Sequence, residues 1–93
     1  MNDPVCCLVR ISGRVQQVGF RMWTLREARR LRIQGWVRNM PDGRVEACLA
    51  ATPGQLAEML EALRQGPPLA RVSAVERLDI DPPGPLEDFT IME

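Results

Sequence analysis

One segment of the chain combines a glycine-punctuated loop with an arginine at the start of a predicted helix. The loop runs from Ser12 to Gly19, and Arg21 falls in the first turn of the helix that follows. Backbone N–H groups converge at such a junction, where the helix dipole favours negative charge. A cation there is unfavourable unless an anion compensates it, and a guanidinium can bind two phosphate oxygens at once. The pattern predicts a phosphate-binding site, with an ordinary exposed arginine as the alternative.

A second polar residue, Asn39, is predicted at the end of the second strand, directly before a hairpin turn. If the first and second strands run parallel with the third between them, the end of the second strand and the loop after the first share one sheet edge. Arg21 and Asn39 can then lie close together. Asparagine is also common at strand ends for its local hydrogen bonds, so a purely structural role in the turn is the alternative.

The composition restricts the chemistry that these residues can perform. The chain has 93 residues and contains no His, no Tyr and no Lys, so all 12 of its basic side chains are arginines. This excludes Ser-His-Asp and Cys-His catalysis, His-bearing metal sites, Schiff-base chemistry and Lys-bearing phosphate loops. A reaction here must depend on arginine, amides, hydroxyls, carboxylates and backbone dipoles.

The charge and the cysteine content give indirect information on the interaction partners and on the cellular compartment. The net charge is zero, so no overall field attracts nucleic acid or a membrane. Residues 1–46 carry nine arginines and four acids, so this basic half either forms an anion-binding face or pairs with the acidic half. The three cysteines, Cys6, Cys7 and Cys48, form no CxxC pair, which favours reduced thiols in a cytoplasmic protein. The N-terminus lacks a signal-peptide pattern, and no apolar run is long enough for a membrane span.

The elements that must position Arg21 and Asn39 follow from hydrophobic periodicity and turn chemistry. They are a strand over residues 5–11, a helix from residue 20, a strand over 35–39, a turn over 40–43, a strand over 45–51, a helix over 53–65, a strand over 72–80 with a bulge, and a short edge strand over 89–91. Thr52, Pro53 and Gln55 predict a capped helix start. The order β-α-β-β-α-β predicts a single α+β domain of the ferredoxin-like, split-βαβ type, with one antiparallel sheet and two helices on one face.

Arg21 and Asn39 lie within two motifs that together resemble the acylphosphatase family. The motifs are Gly13-Arg14-Val15-Gln16-Gln17-Val18-Gly19-Phe20-Arg21 and Gly35-Trp36-Val37-Arg38-Asn39. Asp42-Gly43-Arg44-Val45, Gly66-Pro67-Pro68 and Phe89-Thr90-Ile91 also match the family's layout, so the resemblance covers nearly the whole chain, residues 1–93. Two motifs at this spacing are specific, whereas either one alone is not.

The resemblance implies hydrolysis of acyl phosphates to a carboxylate and inorganic phosphate, without a metal or cofactor. It implies that Arg21 holds the phosphate together with loop amides and that Asn39 orients the attacking water. The implied phosphate-binding residues are Val15, Gln16, Gln17, Val18, Gly19, Phe20 and Arg21. Gln17 stands where the family usually has glycine, so a positive φ there costs on the order of 1 kcal/mol or more in strain.

This chemistry is compatible with the missing residue types. A carboxylate is a good leaving group, and phosphoryl transfer mostly requires positioning and compensation of oxygen charge. The expected partners are therefore a small-molecule acyl phosphate and inorganic phosphate, as product and inhibitor, with no nucleic acid and no membrane, and the expected state is a monomer.

Two other interpretations stay open at this point. One is a noncatalytic phosphate- or acyl-phosphate-binding module of the same fold, in which Gln17 has abolished turnover. The other is a structural or protein-interaction domain. An RNA-binding module is disfavoured, because the first and third strands carry no aromatic side chains.

Overall fold

The computed structural model of the protein describes residues 4–92. Its strands and its two amphipathic helices follow one another in the predicted order. The strands are β1 (Val5–Arg14), β2 (Gln34–Asn39), β3 (Val45–Ala51), β4 (Arg71–Ile80) and β5 (Thr90–Ile91), and the helices are α1 (Phe20–Arg30) and α2 (Pro53–Gln65). This is the predicted α+β, ferredoxin-like arrangement. Residues 1–3, on which the absence of a signal-peptide pattern partly rests, lie outside the described residues.

The strands form one sheet in the order β4-β1-β3-β2-β5. β3 pairs antiparallel with both β1 and β2, so β1 and β2 run parallel to each other, as expected. The sheet is nevertheless mixed, because β5 pairs parallel with β2. β4 ends at the same end of the sheet as that at which β2 begins. The connection from β4 passes along this end to the far side of β2, so β5 runs in the same direction as β2. The predicted antiparallel sheet is therefore correct for the four long strands and wrong for the edge strand.

One face of the sheet carries both helices and the hydrophobic core. The helical spacing of apolar residues in the sequence predicts a buried face with Phe20, Thr24, Ala28 and Leu31 in α1, and the structure buries the first three but leaves Leu31, the C-cap, only half-buried. Buried side chains of this cluster include Cys7, Val9, Ile11, Val37, Val45, Ala47, Leu49, Phe20, Ala28, Leu56, Met59, Leu60 and Leu63. Burying a large aliphatic side chain contributes about 1.5–3 kcal/mol, so this face supplies most of the driving force for folding. Within the described residues, neither helix is long and apolar enough to cross a membrane.

β1 extends to Arg14, beyond the break predicted at Ser12. The pairing of β1 with β4 shifts register between Ser12 and Gly13, which confirms the predicted bulge. Gly13 has a φ of 121°, and a Cβ there would lie 2.1 Å from the carbonyl oxygen of Arg71. The glycine permits this close approach, so a residue that looks like a loop marker in the sequence lies inside the strand.

On the face away from the helices, charged residues form a row across four strands: Arg38, Glu46, Arg10 and Glu76. The carboxylate of Glu46 is buried and accepts hydrogen bonds from Arg10 Nε (3.0 Å) and Arg38 Nε (2.8 Å). Burial alone would raise the pKa of Glu46, but the two guanidinium groups lower it below its usual value. The row joins β3 to both of its neighbours.

The three cysteines are buried free thiols, as the sequence predicts. Cys6 and Cys48 lie on neighbouring strands with their sulfur atoms 3.7 Å apart. Burial, reinforced by the contact with Cys6, raises the pKa of Cys48 to about 12. The thiols therefore behave as small hydrophobic groups.

Candidate active site

Helix α1 begins at a residue with a left-handed backbone and has no side-chain cap. Gly19 is the N-cap, with φ 76° and ψ 16°, and the first turn contains no acidic residue. The first hydrogen bond of the helix joins Trp23 N to Gly19 O, at 3.0 Å. The N–H groups of the three preceding residues therefore have no acceptor within the helix. They provide a concentration of donors at the positive end of the helix dipole.

A pocket of about 270 Å³ opens at this helix terminus. Its lining residues are Val15, Gln17, Gly19, Phe20, Arg21, Met22, Asn39 and Ile91. The loop after β1 and the end of β2 thus meet at one sheet edge, as their predicted parallel direction requires. Arg21 and Asn39, predicted from separate motifs, line the same pocket.

Arg21 is a half-buried cation without a carboxylate partner in the described part of the chain. It occupies the first turn of α1, where a positive charge opposes the helix dipole. Arg44, directly before β3, is by contrast paired with Asp42 at 2.8 Å. Arg21 therefore keeps its full hydrogen-bonding capacity for an anion.

Asn39 is the last residue of β2 and lines the pocket. Its Oδ1 atom is buried and has no hydrogen-bond donor among residues 4–92. Leaving such an acceptor unsatisfied costs about 1–3 kcal/mol. Arg21 and Asn39 are thus two polar residues of one pocket whose side chains have hydrogen-bonding capacity that the described residues do not use.

The other predicted phosphate-binding residues divide into two groups. Val15, Gln17, Gly19 and Phe20 line the pocket, whereas Gln16 and Val18 do not. Val18 packs against the core. The side chain of Gln16 turns toward the β2–β3 hairpin, where Nε2 donates to Met40 O (2.8 Å) and Arg44 O (3.0 Å).

Gln17 adopts the conformation that the glycine usual at this position in the family would favour. Its φ is 62°, in the left-handed region, and its side chain is exposed. A non-glycine residue in this region costs roughly 1–2 kcal/mol. The loop adopts this backbone conformation at Gln17 despite its cost in free energy.

Two pocket residues, Met22 and Ile91, were not predicted from the sequence. Met22 directly follows Arg21 and is 49% exposed, so only its position in the first helical turn could have indicated it. Ile91 reaches the pocket because β5 pairs with β2, with Ile91 opposite Val37. The sequence predicts the short strand but contains no signal for its parallel pairing.

A second, larger depression of about 750 Å³ lies at the opposite end of the sheet, beside Arg29, Gln55 and Phe89. Arg29 donates to Phe89 O at 3.2 Å, and Gln55 Nε2 donates to Leu31 O at 3.0 Å. These two polar side chains thus hold elements together, and none of the predicted site residues lines this depression. Among residues 4–92 no group of three or more His, Cys, Asp or Glu side chains is arranged to hold a metal ion.

Fold and site together define an α+β protein in which an uncapped helix terminus, Arg21 and Asn39 line one pocket at the end of the sheet. A model of the acylphosphatase family matches residues 7–91. The chain is 59% identical over 68 residues to an acylphosphatase of Rhizobium etli (73% of this chain, 72% of that one). It is 50% identical over 84 residues to one of Thermococcus kodakarensis (90% and 91%). A solved acylphosphatase structure from Coxiella burnetii superposes with a TM-score of 0.91 at 33% identity, covering 97% of this chain and 94% of that one.

The chain belongs to the acylphosphatase family. It is an enzyme that hydrolyses acyl phosphates, which confirms the resemblance seen in the two motifs. The noncatalytic and purely structural interpretations are therefore not retained.

Proposed function

We propose that Arg21 and the amides of residues 15–20 hold the phosphate of an acyl phosphate, and that Asn39 orients the attacking water. One observation carries the proposal. Among residues 4–92, the guanidinium of Arg21 has no carboxylate partner, and it shares the pocket at an uncapped helix N-terminus with Asn39, whose buried carboxamide oxygen has no donor in the same range. Each group lacks a partner that the reaction would supply.

A bound phosphate would supply partners both for the guanidinium of Arg21 and for the N–H groups at the start of α1. The anion compensates Arg21 and accepts hydrogen bonds from amides that have no acceptor within the helix. Hydrogen bonds between charged groups are about twice as strong as neutral ones, and the guanidinium can engage two phosphate oxygens. Because these groups are already in place, little reorganisation accompanies the build-up of charge in the transition state.

The bond-making step places the water opposite the leaving carboxylate. The water oxygen forms the new bond to phosphorus while the bond between phosphorus and the acyl oxygen breaks. The carboxamide of Asn39 hydrogen-bonds the water and so directs the lone pair of the water oxygen toward phosphorus. A phosphate oxygen takes the water's proton, and the acyl group leaves as a carboxylate with the bonding electron pair. Inorganic phosphate is then a product that competes for the same cradle.

The proposal also covers the oligomeric state of the enzyme and the compartment in which it acts. Every residue assigned to the site comes from one copy of the chain, so we propose a monomer. The buried free thiols fit a reducing compartment such as the cytoplasm. Light scattering at the assay concentration tests the monomer, and a dimer mass would contradict it.

Two variants of Asn39 test its role. With a small aromatic acyl phosphate, followed by loss of ultraviolet absorbance, Asn39→Ala is expected to lower kcat by about a hundredfold or more. KM and inhibition by phosphate are expected to stay nearly unchanged, because a neutral amide adds little to anion binding beside Arg21. Asn39→Asp, which places a negative charge at the same position, is expected to weaken phosphate inhibition as well.

Thermal melting of the same preparations serves as the control. Removing a buried acceptor that has no partner is expected to leave the melting temperature of Asn39→Ala equal or higher. A lower melting temperature with normal kcat would show instead that Asn39 only shapes the hairpin.

A further inference from the structure

Gln16 joins the two parts of the chain that carry Arg21 and Asn39. Its side chain is half-buried and leaves the phosphate loop for the β2–β3 turn. Both contacts use one nitrogen, Nε2, which donates to Met40 O at 2.8 Å and to Arg44 O at 3.0 Å. These two carbonyls flank the turn, and Asn39 directly precedes the first of them.

The turn does not need Gln16 in order to close. Met40 N donates to Arg44 O at 2.8 Å, and Gly43 N donates to Met40 O at 3.1 Å. The carboxylate of Asp42 also accepts from Arg44 N, at 3.0 Å. The two carbonyls that Gln16 contacts therefore have turn partners of their own. The bonds of Gln16 act between the turn and the loop, not within the turn.

We propose that the side chain of Gln16 is a positioning residue that sets the location of Asn39 relative to the phosphate loop. The inference rests on the proposed function, in which Asn39 orients the water and the loop holds the phosphate. Two donors from one amide to two carbonyls fix the turn in distance and in direction. Gln16 lies one residue from Val15 and Gln17, which line the pocket, and Met40 lies one residue from Asn39. A shift of the turn would therefore move Asn39, and the water that it orients, relative to the phosphate-binding loop.

The test compares Gln16→Ala and Gln16→Met with the wild type. Methionine keeps the length and apolar contacts of glutamine but has no donor. In both variants kcat is expected to fall about tenfold to a hundredfold, because small misplacements of reacting groups have effects of that size. The phosphate inhibition constant is expected to change less than about threefold, since the backbone amide of residue 16 is retained.

Gln55→Ala is the matched control. Gln55 also donates Nε2 to a backbone carbonyl, that of Leu31 at 3.0 Å, at the opposite end of the sheet. Its loss is expected to lower the melting temperature without changing kcat. If Gln16→Ala and Gln16→Met behave like Gln55→Ala, with normal kcat in the folded protein, Gln16 is only structural and the inference is wrong.

The double variant Gln16→Ala/Asn39→Ala separates this inference from the proposal beneath it. If Gln16 acts through Asn39, the double variant is expected to have the same kcat as Asn39→Ala alone. A further tenfold loss would overturn the positioning role while leaving the water-orienting role of Asn39 intact. Normal kcat in Asn39→Ala alone would instead overturn the proposed function, and with it the inference.

Discussion

The two helices of this protein begin in opposite ways. At the start of α2, Thr52 accepts a hydrogen bond from Gln55 N, the side chain of Gln55 accepts one from Thr52 N, and Pro53 occupies the first helical position. At the start of α1, Gly19 offers no side chain, and a cation follows two residues later. The first terminus is satisfied by its own residues, whereas the second has donors and charge left over. The difference separates a helix start that stabilises the fold from the one that we propose to bind phosphate.

Arg21→Ala is expected to have the largest effect on this contrast. Losing two charge-assisted hydrogen bonds, each contributing about 1.5–3 kcal/mol, lowers kcat/KM by several powers of ten and abolishes phosphate inhibition. The melting temperature is expected to stay equal or rise, because a cation is removed from the positive end of the dipole. Steady-state kinetics and melting of one preparation check both statements.

Arg14→Ala is the matched control for Arg21→Ala. Arg14 is exposed at the end of β1 and does not line the pocket, so its loss is expected to be far milder. Unchanged phosphate inhibition in Arg21→Ala would contradict the assignment of the site.

Substitution of Gly19 makes the start of α1 more like that of α2. A Cβ at Gly19 meets no atom within 4 Å, and Asn and Asp are the side chains that best tolerate its φ of 76°. Gly19→Asp is expected to lower kcat/KM on the order of a hundredfold relative to Gly19→Asn, since its carboxylate repels the phosphate. Equal activity of the two variants would mean that negative charge does not bind at this terminus.

Thr52→Ala tests the other helix start. Loss of the cap is expected to reduce the free energy of unfolding by about 0.5–2 kcal/mol. The value of kcat and inhibition by phosphate are expected to stay unchanged, because Thr52 lies at the opposite end of the sheet from the pocket. Urea unfolding alongside the kinetic assay checks this. A fall in kcat in the folded variant would show that the starts of α1 and α2 do not have separate roles.

Gln17→Gly is expected to have the smallest effect. Glycine removes the strain of a φ of 62° but gains freedom in the unfolded chain, so the net change in stability is expected to stay within about 1 kcal/mol. Activity is expected to be the same or somewhat higher, because the loop geometry is preserved. A sharp loss of activity would reveal a direct role for the Gln17 side chain.

The predictable parts of this structure are those encoded over a few residues. The capping box of Thr52 and Gln55, the helix over residues 53–65 and the bulge in the strand over 72–80 were all predicted from neighbouring residues. The approach of Asn39 to Arg21 was also predicted, although 18 positions separate them, because the expected topology makes β1 and β2 parallel.

The parts that escaped prediction depend on contacts between distant residues. The parallel pairing that carries Ile91 to the pocket joins residues more than fifty positions apart. The direction of the Gln16 side chain is likewise decided by a turn 24 residues away. In both cases the local pattern is compatible with several placements, and only packing selects one.

The buried carboxylate of Glu46 gives the sheet a dependence on protons. Its pKa is lowered in the folded protein, since the two guanidinium groups outweigh the effect of burial, so the unfolded chain takes up a proton at a higher pH. The stabilisation is complete above the pKa of the unfolded carboxyl and is lost as the pH falls through the folded value. Protonation would then leave Arg10 and Arg38 facing each other across β3 without the charge between them. Acid therefore weakens the centre of the sheet, where β3 joins its two neighbours.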